Sequence, residues 1–152
     1  MYQALTFIHS SVRWFVVISL VYSIARAWHG YLKGRAFTRA DNAARHWTAT
    51  IAHIQLVIGM IFYTQSPVIR YFLKNFKEEV TDWAVGFYGW VHPLLMLIAI
   101  VLVTIGSAMA KRKPTSKEQF RTMLTWFTVA FLIIFIAIPW PFSPLANRPY
   151  FR

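Results

Sequence analysis

WAVGFYGWVHPLLMLIAIVLVTIGSAMA, running from Trp83 to Ala110, is the stretch whose reading decides the fold. It contains no Asp, Glu, Lys or Arg. Crossing a bilayer takes about 20 apolar residues, and this stretch is long enough. One ionisable residue, His92, sits inside it and is followed directly by Pro93. An ionisable group at membrane depth costs free energy, so it is a functional-site candidate by default.

Three further apolar blocks flank it. The expected spans are residues 5–27, 46–65, 83–110 and 120–139. The first contains His9 and Arg13. Its late charge and the Ala25-Arg26-Ala27 triplet invite comparison with a signal peptide, but a cleaved signal carries its charge at the start, so an uncleaved span is the better reading. Ser66-Pro67 stops the second span, since Pro does not continue a helix. The apolar Val68–Phe76 portion of the following loop suggests a short interfacial helix. Short loops favour antiparallel neighbours. The expected architecture is therefore all-α: one integral-membrane domain over 1–152, built as an up-down four-helix bundle.

Composition agrees. Of 152 residues, 57% are hydrophobic and 18% aromatic, above the apolar share of about half usual in soluble domains. The net charge of +11 does not point to nucleic acid, because the basic residues lie in short loops between apolar runs. The loop from Arg26 to Arg45 and the loop beginning at Lys111 hold ten Lys and Arg between them; the loop from Ser66 to Asp82 and the C-terminal tail hold five. The positive-inside rule then places residues 28–45 and 111–119 in the cytoplasm and both termini outside. Tyr2, Trp83, Trp90, Trp140 and Phe142 would form the outer aromatic belt. With no Cys, disulfides, thiolate metal sites and covalent haem attachment are excluded.

Three histidines fall inside spans: His9, His53 and His92; His29 and His46 fall near the basic ends. At about 1.5 Å per residue, His9 and His92 lie at similar depths below the outer ends of spans one and three. In an up-down bundle those spans are diagonal. Two imidazoles facing each other across a bundle interior can hold a flat macrocycle, and haem iron accepts axial His. Gly89, His92, Met96, Ala99, Val103 and Gly106 share roughly one face, and its small residues permit close approach of a ring or a helix. Pro93 should leave the Gly89 carbonyl without its helical donor and kink the span, freeing that carbonyl to fix a histidine N–H. Arg13 lies one turn below His9 on the same face. A buried guanidinium calls for an anion such as a haem propionate, or for a quinone carbonyl. The bland alternatives are helix–helix hydrogen bonding for His53, plain packing for Gly89, Met96 and Gly106, and snorkelling for Arg13.

His9-Ser10 with Arg13-Trp14, His53-x-Gln55 with Gly59, His92-Pro93 and Ile138-Pro139-Trp140-Pro141-Phe142 together resemble a group of small four-helix bacterial inner-membrane proteins labelled cytochrome b-like. The resemblance spans nearly the whole chain. It implies b-type haem, the bacterial cytoplasmic membrane and electron transfer. His9, His53 and His92 are then the candidate ligands and Arg13 the candidate anion partner. Only three deep histidines argue for one haem, not two.

The expectation is a b-type cytochrome passing electrons between quinol in the bilayer and a membrane or periplasmic partner protein, with possible homo-oligomers. His9 and His92 would be the axial pair, with His53–His92 as the alternative, and His53 with Gln55 would form a quinone or proton-handling site. The rivals are a non-catalytic scaffold subunit of a larger membrane complex and a His-relay proton-linked transporter. The last lacks intramembrane carboxylates.

Overall fold

The computed structural model describes residues 2–140. Helix α1 spans Tyr2–Lys33, α2 Arg39–Gln65, α3 Pro67–Lys74, α4 Phe76–Glu79 and α5 Trp83–Gly86. A π-helical turn, Phe87–Val91, leads into α6, His92–Arg112; α7 is Ser116–Ala137. Four helical stretches are long and apolar enough to cross a membrane: Tyr2–Lys33, Arg39–Gln65, Trp83–Arg112 and Ser116–Ala137. The Pro141–Phe142 motif and the tail arginines Arg148 and Arg152 lie outside the described residues.

The bundle is up-down. Helix α1 packs against α2 and α7, and α6 packs against α7 and α2, so α1 and α6 sit on the diagonal. Val16, Leu20 and Ala27 of α1, Ala99, Val103 and Ala110 of α6, and Phe120, Met123, Phe127, Ala130 and Ile134 of α7 form the buried core. The outer surface is just as apolar: Phe15 is 61%, Met60 62% and Ile136 61% exposed. Apolar side chains that face outward on every long helix suit contact with lipid chains rather than water. With lipid outside, packing and polar contacts must hold the helices together. Gly106 lets α6 close onto Trp126, and Gly30 lets α1 close onto Phe120. Between α1 and α2, Ser23 and Thr48 share a 2.8 Å hydrogen bond.

The first loop is much shorter than the sequence suggested. Helix α1 continues past Ala27 to Lys33, and α2 begins at Arg39. Gly34 takes a left-handed φ of 59°, a conformation that ends α1 at no steric cost to glycine. Thr38 and Asp41 then form a capping box for α2. Asp41, wholly buried, binds much more than its cap. It accepts from Arg26 Nε at 2.8 Å, from Arg35 Nη1 at 2.6 Å and from Thr38 Oγ1 at 2.7 Å. Its carboxylate raises the Arg35 guanidinium above the ordinary arginine value, chiefly through that hydrogen bond. Arg45, read from sequence as a loop cation, is buried and donates to the Ser107 carbonyl of α6 at 2.9 Å and to Asn42 Oδ1 at 2.8 Å.

At the opposite end, α3 follows the Ser66-Pro67 stop, with Ile69 and Phe72 buried. Phe72 lies directly over Gly89. Tyr2, Trp83 and Trp90 are exposed around this end, but Trp140 is buried against Trp14 at a ring separation of 5.6 Å and so packs within the bundle.

Candidate functional site

All four long helices meet at one polar cluster near the α3 end of the bundle. His9 comes from α1, Gln55 and Tyr63 from α2, Gly89 and His92 from the π turn and the start of α6, and Ala137 from the end of α7. The ring centroids of His9 and His92 stand 6.5 Å apart with their planes at 72°. Two imidazoles binding one iron from opposite sides, with bonds of about 2 Å, would place their centroids about 6 Å apart. The separation therefore matches a bis-imidazole pair.

Each ring is oriented by its other contacts. His92 Nδ1 lies 2.8 Å from the Ala137 carbonyl. A carbonyl only accepts, so the proton sits on Nδ1 and Nε2 keeps its lone pair. Among the described residues His92 Nε2 has no hydrogen bond. This is the arrangement of a ligating histidine with its outer nitrogen anchored. His9 stacks on Phe62 at 5.6 Å and lies over Gly59, where an added Cβ would stand 3.2 Å from His9 Cε1. Gln55 Nε2 donates to the His9 carbonyl at 3.0 Å and approaches His9 Nδ1 at 3.2 Å. The same nitrogen stands 3.5 Å from His9 Nε2; an amide N–H only donates, so the shorter approach makes Nδ1 the acceptor and puts the proton on Nε2. A ligand role for His9 moves that proton to Nδ1. Gln55 Oε1, buried and without a partner among the described residues, is the acceptor the same side chain holds in reserve.

The π turn explains how His92 comes to this place. Pro93 has no N–H to give to the carbonyl four residues back. The chain widens instead, and the His92 N–H donates to the Phe87 carbonyl. The Gly89 carbonyl accepts from the Tyr63 hydroxyl at 2.7 Å. The expected service to a histidine N–H thus comes from Ala137, while Gly89 is engaged by Tyr63 and covered by Phe72. Gly89 contributes close helix packing here and no surface to a macrocycle.

The Arg13 guanidinium stands 5.8 Å from the Trp14 ring centroid. His53 is elsewhere. It is exposed on the outer face of α2, with Nε2 3.1 Å from Thr104 Oγ1 of α6. Two residues along a helix turn through about 200°, so when Gln55 faces inward His53 faces out. That separates His53 from Gln55 and leaves it in a shallow groove of about 360 Å³, lined by Thr50, His53, Ile54, Val57 and Ile58. Thr104 gives its one proton to the Ile100 carbonyl at 2.7 Å. His53 Nε2 must then be the donor, and Nδ1 is an acceptor with no partner among the described residues. His29 and His46 are exposed at the basic end.

Tyr63, Phe62 and Ala137 escaped sequence reading. Gln55, Gly59, Phe62 and Tyr63 recur at i, i+4, i+7 and i+8, the spacing of one helix face, and that pattern could have found two of them. Among the described residues no group of three or more His, Cys, Asp or Glu could hold a metal ion. An iron already held in a macrocycle would need only the two imidazoles from the protein. No protein-family model, curated protein or solved structure matches the chain.

Proposed function

We propose that this chain is a b-type cytochrome of the bacterial cytoplasmic membrane that carries electrons between quinol and a partner protein. The observation that carries the reading is the pair His9 and His92, brought from diagonal helices to a centroid separation of 6.5 Å. His92 Nε2 would ligate while Ala137 holds Nδ1–H, and His9 Nε2 would ligate once its proton stands on Nδ1 and is donated as a hydrogen bond to Gln55 Oε1. Haem b would supply the one-electron redox centre. Arg13 would place positive charge beside it and favour the reduced, more negative state, or would receive a propionate.

Quinol is expected at the lipid side of α2. His53 lines an apolar groove and offers an Nδ1 acceptor without a partner among the described residues, which would suit a hydroxyl donor on an apolar body. A hydroquinone has such hydroxyls and a quinone has only carbonyl acceptors. The groove backs onto His9 through the thickness of one helix, since Gln55 on the opposite face contacts it.

The test is a visible spectrum of the purified protein, oxidised and dithionite-reduced. The expected result is a Soret band that shifts on reduction and is lost in His92→Ala and His9→Ala but kept in His29→Ala. A colourless, folded protein from haem-sufficient cells would overturn the reading and leave the His9–Gln55 and His92–Ala137 bonds as helix clamps.

A further inference from the structure

We infer that Tyr63 is a positioning residue for His92, and that its hydroxyl, by taking the carbonyl Pro93 leaves behind, fixes the wide turn that aims the imidazole across the bundle. The inference rests on the site proposed above and names a residue that acts on it from one step away.

Pro93 creates a defect that some neighbour must repair. A buried carbonyl without a donor is rare and costly. Gly89 is fully enclosed: Phe72 covers its Cα and excludes water from that side. The Tyr63 hydroxyl reaches the carbonyl from α2 at 2.7 Å. This bond joins α2 to the last residues before α6, and it falls inside the turn Phe87–Val91 itself.

The turn also sets a direction. A residue advances a regular helix by about 100°, so one extra residue in a π turn rotates everything after it relative to everything before. His92 is the first residue past the turn. If the turn relaxed to α geometry, the imidazole would swing around the helix axis, away from both His9 and the Ala137 carbonyl. Two bonds therefore bracket the ring: Tyr63 to Gly89 fixes where the helix restarts, and Ala137 to Nδ1 fixes how the ring lies. Phe87, buried with its ring centroid 5.9 Å from that of His92, fills the space on one flank.

Tyr63→Phe removes the hydroxyl and keeps the ring. The full chain is reconstituted in nanodiscs, with ¹⁵N-labelled histidine, and the ring nitrogens of His92 are read by NMR together with amide exchange over residues 89–94. Tyr63→Phe should weaken the Nδ1–H signature of His92 and speed exchange there roughly tenfold, with helical content unchanged. In the haem-loaded protein the same substitution should shift the midpoint potential and the low-spin resonance signature, which loss of packing elsewhere would not do. Tyr71→Phe, which removes a hydroxyl bonded to Glu79 outside the bundle, serves as the control and should change none of these. Pro93→Ala restores a backbone donor for Gly89, so in that background Tyr63→Phe should have no further effect.

Identical His92 nitrogen shifts and exchange rates in Tyr63→Phe and the parent would overturn the inference, as would an undiminished Tyr63→Phe effect in the Pro93→Ala background. The NMR and exchange readouts need no bound haem. A colourless protein that shows the Tyr63 effect would therefore sink the cytochrome reading and keep this one.

Discussion

The chemistry proposed for this chain depends on which nitrogen of each histidine carries its proton, and the three deep histidines differ in that respect. His92 is held with its proton on Nδ1, His9 in the opposite tautomer, and His53 with its proton on Nε2 and an Nδ1 without a partner among the described residues. The His53 assignment has a measurable consequence. In the haem-loaded protein, His53→Ala should slow reduction by a short-tailed hydroquinone at least tenfold, while dithionite reduction and the Soret band stay as in the parent; stopped-flow absorbance reads both. Equal quinol rates in the two proteins would remove His53 from the reaction. Sequence reading singled out all three histidines because an ionisable residue in an apolar run is conspicuous. It paired His53 with Gln55 from nearness in the chain, and helix geometry sets those two on opposite faces. Tyr63 was legible only through the helix face it shares with Gln55, Gly59 and Phe62, and Ala137 was not legible at all, because a backbone carbonyl carries no mark in composition.

The elements were more legible than their ends. Three of the four spans were extended by a helical turn or more at the basic end, because the cations there were counted as loop while Thr38 and Thr115 cap helices that already include several of them. Arg45 shows why charge alone misleads: it is deep in the α2–α6 contact, bound to Asn42 and Ser107, and a guanidinium so placed reads in sequence like any other loop cation. The small residues read in sequence as close-approach positions for either a ring or a helix, and Gly89 and Gly106 each face a packed aromatic side chain. Gly106 shows what such a partner demands: Trp126 occupies the space a Cβ would need. Gly106→Val should push α6 from α7 and destabilise the bundle by about 2 kcal/mol, seen as a lower thermal midpoint in detergent by circular dichroism. Gly34→Ala meets no neighbouring atom but would be strained by its positive φ; its cost should be about 1 kcal/mol.

At the scale of the whole molecule, periodicity and length sufficed for the all-α bundle because a bilayer admits few alternatives to spanning helices. Which way it faces is a matter of charge. Residues 28–45 and 111–119 carry eight of the sixteen Lys and Arg and are expected in the cytoplasm. The chain has no native Cys, so a single introduced thiol reports without background. Lys113→Cys should be shielded from a membrane-impermeant maleimide in intact cells and become reactive on lysis, while Lys77→Cys should react in both. The reverse pattern would invert the topology.

The Asp41 clasp bears on the order of events during synthesis. A single carboxylate draws Arg26 from the first crossing and Arg35 from the turn while it caps the second. All of its ligands are in place before any residue of the later crossings has been made. Chains emerge N-terminus first, so the leading hairpin holds its own fastener and can wait, closed, for the partner pair that brings His92 to His9.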